Sequence, residues 1–221
     1  MNKNVLSLIL ASSLLAATPT LVLAQATATQ PASVASMQGS PSKLVLENSR
    51  RVLAALESRR AEFTNNRAVL RQFIDSEFNQ MFDRDYAARQ VLGRHGRGAS
   101  DADVKLFSDA LANNLMQRYG SSLLDFNTRL RVRIKSETAL PRGLGVKVSS
   151  ELMRSGGDPI PVDYLMRKSG SQWKVFDVMV EGVSFVQTFR KQFDNELTHK
   201  SIRQVATELS QGQLQADAAT D

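Results

Sequence analysis

The sequence predicts an α+β fold in which N-terminal helices, a four-stranded antiparallel meander and C-terminal helices enclose an apolar pocket. Three changes of period lead to it. Apolar residues recur at three- and four-residue steps from Leu44 onward, the period switches to two near Asn127, and helical spacing returns after Glu181-Gly182.

Leu44, Val45, Asn48, Val52, Ala55, Leu56, Arg59 and Phe63 mark a first amphipathic helix. After "TNNR", a second carries Val69, Leu70, Phe73, Ile74, Phe78, Met81 and Phe82. A short third, "DRDYAARQVLG", closes at Gly93 as a C-terminal cap. Ser100 ahead of "DADVKLF" is an N-cap with acids in the first turn. It opens a long helix to about Leu124, with the stripe Val104, Phe107, Leu111, Leu115, Tyr119 and Leu123. These helices carry more apolar faces than a bare helix pair needs.

In "TRLRVRIKS", Leu130, Val132 and Ile134 alternate with Arg129, Arg131, Arg133 and Lys135, a half-buried strand with a basic outer face. "GLGVKVSSELMR" and "IPVDYLMRK" alternate similarly across the turn "SGGDP", and "SGSQ" leads to a strand beginning at Trp173. Short turns between consecutive strands require antiparallel pairing, because parallel crossovers need a dozen residues or more. Two helices, about 185–195 and 201–209, complete the fold, and helices over a curved sheet enclose an apolar space.

The chain has 221 residues, the length of one domain. Residues 1–24 carry Lys3, an apolar run from Val5 to Ala17 too short to span a membrane comfortably, and small residues at Ala24 and Ala26. They read as a cleavable secretory signal, cut after Ala24 or Ala26, with a retained N-terminal anchor as the alternative. Residues 25–42 are Ala, Thr, Ser, Gln and Pro-rich, too poor in large apolar groups to offset ordering, and read as a flexible leader. The domain then spans 43–210, and 211–221 reads as a flexible tail. The chain has no cysteine, which excludes a disulfide scaffold and a cysteine-linked lipid anchor. The expectation is a soluble monomer in an exported compartment, in the simplest case bacterial periplasm. The formal charge of +6, less one for Lys3, leaves +5 on the mature chain. Such a charge keeps a protein soluble and suits anionic partners, while export argues against nucleic acid.

Catalytic signatures are sparse. His95 and His199 are the only histidines, and neither has a companion at metal-ligand spacing. "GRHGRG" lacks the preceding strand and the spacing of a dinucleotide fingerprint, and there is no nucleophile elbow or P-loop. Asp75 and Glu77 stand two apart on a helix and diverge. Asp163, Asp177 and Glu181 fall on neighbouring strands, where an acid could serve as general base or simply pair with Arg154 or Arg167.

Three blocks, "FDRDYAARQVLG", "LFSDALANNLMQRYGSSL" and "WKVFDVMVEGVSFVQTFRKQF", resemble the MlaC family of periplasmic phospholipid-transport proteins, also called toluene-tolerance auxiliary proteins. The matching positions are Val91, Leu92 and Gly93, then Trp173, Val175, Phe176, Asp177, Glu181, Gly182, Val183, Ser184 and Arg190. Phe176 stands where the family usually has tyrosine, and "GRHGRG" is more basic than the family pattern. The resemblance covers about 44–209. It implies the general outline of NTF2-like and cystatin-like folds and a carrier with no catalytic residues, metal or cofactor. Its cargo would be glycerophospholipid, shuttled between an outer-membrane lipoprotein complex and an inner-membrane ABC transporter with its MCE-domain subunit, maintaining outer-membrane lipid asymmetry.

Given that resemblance, the pattern nominates a lipid-contacting set. Phe107, Leu111, Leu115 and Tyr119 come from the long helix. Val146, Val148, Leu152, Val162, Tyr164, Met166, Phe176, Val178 and Val180 come from the sheet, and Phe185 and Phe189 from the helix that follows. On the last strand, simple alternation sets Phe176, Val178 and Val180 against Trp173, Val175 and Met179, and either face is eligible. Met153, Met166 and Met179 suit varied chains because a thioether adapts. Arg131, Arg133 and Lys135 form a basic row that would dock an acidic partner or serve as a solvated strand face. Two other functions fit the same shape, a small exported isomerase or hydrolase using Asp163, Asp177 or Glu181, and an adaptor or chaperone binding apolar protein segments.

Overall fold

The computed structural model describes residues 39–119, 124, 130–154 and 156–217. The expected signal at 1–24, the leader as far as residue 38, the continuation of the long helix at 120–123 and the last residues 218–221 lie outside the described residues.

Among the described residues, seven α-helices and five strands follow one another. The helices are α1 (Pro41–Ser58), α2 (Arg60–Asn65), α3 (Arg67–Met81), α4 (Arg84–Leu92), α5 (Asp101–Tyr119), α6 (Phe185–His199) and α7 (Ile202–Ser210). Between α5 and α6 come β1 (Arg131–Ala139), β2 (Val146–Met153), β3 (Ile160–Ser169), β4 (Gln172–Val180) and β5 (Val183–Ser184). The sheet order is β1-β2-β3-β4-β5, antiparallel throughout. The expected sheet thus gains a fifth strand of two residues. Glu181 and Gly182 both have positive φ (51° and 84°), as the tight two-residue hairpin joining β4 to β5 requires.

Side-chain caps fix the helix starts. Ser40 caps α1, so that helix starts at Pro41, inside the stretch expected as leader. The backbone turns at Arg59 (φ −105°, ψ 16°), which splits the expected first helix into α1 and α2. Asn66 caps α3, Asp83 caps α4 and Ser100 caps α5. Ser201 and Gln204 form a reciprocal capping box on α7.

Two apolar bodies meet at the sheet. One face of the sheet buries Val148, Met166 and Val175 against Val45 of α1 and Met81 of α3. Ser42 secures α1 there, its amide and hydroxyl donating to the Glu137 carboxylate at 3.0 and 2.6 Å. The other body is helical, built from Val91, Leu92, Phe107, Phe193, Val205 and Leu209 and their neighbours on α4 to α7. Residues 211–217, expected as flexible tail, pack onto this second body. Buried Asn114 of α5 donates to the carbonyls of Leu209 (2.9 Å) and Leu214 (3.1 Å) and accepts from the Ala216 amide (2.9 Å). Ala216 is fully buried, so long-range hydrogen bonds order a segment whose composition reads as loose.

Asn114→Ala would strip the Leu214 carbonyl and the Ala216 amide of this partner and leave the Leu209 carbonyl only its bonds within the turn after α7. It is expected to destabilise the fold by about 2 to 4 kcal/mol, read as a lower urea midpoint, with faster proteolysis of the tail.

Candidate functional site

A cavity of about 510 Å³ lies between the helical body and β4. Its walls come from five elements. α5 gives Ser108, Leu111, Ala112, Leu115, Met116 and Tyr119, an i, i+3, i+4, i+7, i+8, i+11 face. α3 gives Asp75 and Phe78, followed by Phe82, with the Phe78 and Phe82 rings stacked at 3.9 Å. α4 gives Arg84, Ala87, Ala88 and Val91. β4 gives Phe176, Asp177 and Val178, and α6 gives Phe185, Val186 and Phe189. Among the described residues, the charged groups in the wall are Asp75, Arg84 and Asp177.

Of the residues nominated from sequence, Leu111, Leu115, Tyr119, Phe176, Val178, Phe185 and Phe189 border this cavity. Phe107 does not. It is fully buried in the helical body, edge-on to Phe193 at 5.7 Å, because α5 carries two stripes about a quarter-turn apart and Phe107 lies on the core one. Val146, Val148, Tyr164 and Met166 lie under α1 in the other apolar body. Burial there pushes the Tyr164 phenol above its ordinary value, partly countered by its hydrogen bond with Ser49 of α1. Leu152, Val162 and Val180 are half-buried on that same sheet face and do not reach the cavity either.

A β-bulge explains how β4 serves both bodies. Leu165 pairs with Asp177 but Met166 pairs with Val175, leaving Phe176 as the extra residue. Parity flips there, so Trp173 and Val175 share a face with Val178 and Val180, contrary to simple alternation. Phe176 is re-aimed into the cavity wall, edge-on to Tyr86 at 5.3 Å.

Asp177 is the one member of the expected acidic trio in the wall. It is 6% exposed and accepts from the Ser184 hydroxyl (2.6 Å) and the Val186 amide (3.1 Å). It therefore satisfies the start of α6, whose N-cap is Ser184. Burial pushes its carboxyl above the usual range, and those hydrogen bonds, with one from the Val178 amide, pull against the rise. Asp163 instead pairs with Lys147 at 3.6 Å, and Glu181 is exposed in its turn. Glu77 pairs with Arg51 at 2.6 Å.

The "GRHGRG" segment ties α4 to α6. His95 Nε2 lies 3.0 Å from Asp194 Oδ1, and Arg94 donates to Asp194 Oδ2 at 3.0 Å. Gly93 (φ 54°) passes beneath Arg190, where a Cβ would sit 2.6 Å from the guanidinium Nε. On β1, at the sheet's edge, Arg133 and Lys135 both pair with Glu151 (2.5 and 3.0 Å), and Arg131 is exposed beside them. All three lie outside the cavity wall. No three of the described residues' His, Asp or Glu side chains group as metal ligands.

The family model described as MlaC protein matches residues 46–211. The chain belongs to the MlaC family. Toluene tolerance protein ttg2D of Pseudomonas putida is 24% identical over 156 residues, covering 69% of this chain and 71% of that protein. The intermembrane phospholipid transport system binding protein MlaC of Haemophilus influenzae is 21% identical over 179 residues, covering 80% and 83%. A solved phospholipid-binding protein from Ralstonia solanacearum, in complex with a phospholipid, shares the fold. It matches with a TM-score of 0.68 at 21% identity, over 77% of this chain and 94% of that one.

In this MlaC-family chain the two most distinctive sequence blocks meet in space. Phe82 forms a bridge with Val175, and the Asp83 amide donates to the Val175 carbonyl at 2.8 Å. Arg167 pairs with Asp83 at 2.5 Å and lies 4.1 Å over the Tyr86 ring. Sequence reading missed Phe78, Phe82 and the α4 wall. The available signal was the surplus of apolar faces on the N-terminal helices.

The raised Asp177 carboxyl fixes a sign for pH dependence. Between its unfolded value and its higher folded value the native state holds more protons than the unfolded state, so stability falls as pH rises through that window. Asp177→Asn is expected to remove that fall, read as the difference between wild-type and variant urea stabilities from pH 3 upward. A difference independent of pH would show that the carboxyl is not perturbed.

Proposed function

We propose that this protein is a non-enzymatic periplasmic phospholipid carrier, holding acyl chains in the cavity beside β4. It moves lipid between an outer-membrane lipoprotein complex and an inner-membrane ABC transporter, and so maintains outer-membrane lipid asymmetry. Family membership and the names of the two relatives support the cargo and the compartment. Among the described residues no helix is long and apolar enough to cross a membrane.

The observation that carries the reading is the cavity's size with so apolar a wall. A sealed dry void of 510 Å³ would cost about 12 kcal/mol at about 24 cal/mol per Å³. This cavity is partly open to solvent, so that figure is an upper bound, and so extensive an apolar wall facing water favours an apolar occupant. Benzene occupies an apolar cavity of about 150 Å³, so this one holds on the order of 20 carbon atoms, about one long acyl chain. A second chain requires the helical wall to part.

Energetics suit a carrier. Each buried CH₂ is worth about 0.8 kcal/mol against water, so two acyl chains amount to roughly 20 kcal/mol of gross transfer energy. Against a bilayer the net is small, because both environments are apolar. Such a site can load and unload without covalent chemistry.

Native mass spectrometry of protein purified from its exported compartment is expected to find phospholipid near one-to-one. Consistently lipid-free protein that vesicles cannot load would sink the carrier. Ala112→Phe, which fills the cavity, is expected to lower occupancy while stabilising the lipid-free protein by about 0.5 to 2 kcal/mol. Leu115→Glu buries a charge against the chain and should lower occupancy tenfold or more; unchanged occupancy in both variants would mean that lipid sits elsewhere.

A further inference from the structure

A second recess, of about 370 Å³, adjoins the apolar cavity and shares Phe82 and Arg84 with it. Its chemistry is the opposite, for the walls carry ionic groups of both signs. Most of them are mutually engaged. Asp109 lies between Arg84 (2.9 Å) and Lys105 (2.7 Å), and Asp83 is held by Arg167 at 2.5 Å.

Two groups are left. The Lys174 ammonium donates to the Gln80 carbonyl and makes no ion pair among the described residues. That leaves two of its three protons for another acceptor. Asp85, exposed in the first turn of α4, has neither an ion pair nor a hydrogen bond among the described residues. One recess thus offers a cation and an anion, next to an apolar hole of acyl-chain size.

Resting on the carrier reading, we propose that this recess holds the headgroup of a zwitterionic phospholipid. The phosphate meets Lys174, with Lys105 beside it, and the ammonium meets Asp85. Arg84 is the seam, because it borders both spaces and its guanidinium is held in place by Asn79 (2.8 Å) and Asp109. Lipids of every headgroup present the same phosphate, so Lys174 serves all of them. Asp85 discriminates, since a charge-assisted bond from an ammonium outweighs the neutral one a glycerol hydroxyl offers.

The test loads lipid-free protein from vesicles of equal phosphatidylethanolamine and phosphatidylglycerol, then counts total phospholipid per protein and the ratio of the two headgroups. Wild-type protein is expected to load near one-to-one and to enrich phosphatidylethanolamine by about two- to fivefold, the scale of one exposed charge contact. Asp85→Asn should bring the ratio to that of the vesicles, and Asp85→Lys should invert it. Lys174→Gln should weaken both lipids alike and leave the ratio as in wild type. Protein that loads near one-to-one in vesicle proportions, or an Asp85→Asn ratio equal to wild type, overturns the headgroup assignment and leaves the carrier reading standing. Protein that takes up neither lipid overturns both.

Discussion

The fold turns on one joint, where the segment 82–86 is stitched to β4. Phe82 and Asp83 add main-chain bonds to Val175 on the side of β4 away from β3. Asp83 at once caps α4 and receives Arg167 from β3. Arg167 lies over Tyr86, and Tyr86 meets Phe176. An edge strand with unpaired carbonyls and a helix start with unpaired amides are both costly when covered, and this joint satisfies the two together. Helices α3 and α4 are thereby held beside β4 at a spacing that leaves the cavity unfilled.

Asp177 does the same for the other side of the cavity. A buried carboxylate is unfavourable, and the rise in its carboxyl's affinity for protons records that cost. The cost is tolerated because β4, the turn at Glu181-Gly182 and α6 are locked by one group that accepts from Ser184 and Val186. The same residue that sequence reading put forward as a general base has both oxygens occupied as acceptors from its own fold. Among the described residues, no histidine lines the cavity beside it.

What the sequence made legible follows from which forces are local. Caps at Ser100 and Ser201 sit beside the helices they start, and the meander is written in period-two alternation with turn residues between. The bulge at Phe176 is not written that way, since an extra residue in β4 is defined only by its pairing with β3, and it reverses the face of Trp173 and Val175. The cavity stripe of α5 escaped for a different reason. Ser108, Ala112 and Met116 are unremarkable residues, chosen for what they leave open rather than what they fill. The sheet residues Val146, Val148, Tyr164 and Met166 have the alternation of a pocket wall and are a core wall instead, because α1 covers them. The tail at 211–217 has a disordered composition, and it is ordered by groups far back in the chain, Asn114 and Arg118 of α5 and Gln192 of α6.

This division between two apolar bodies bears on how the proposed carrier would empty. A cavity inside one continuous core would have to disturb the whole fold to change volume, because close-packed interiors transmit strain. Here the centre of the sheet body, Val148, Met166 and Val175, lies outside the cavity wall, and Phe82 and Val178 are the residues that touch both. Bound lipid stabilises the filled form by mass action. Release into a bilayer then loses that stabilisation only as the acyl chains regain the same apolar contacts elsewhere. On the proposed carrier reading, the direction of transfer would therefore be set by what the acceptor offers, because the wall itself supplies only apolar contact.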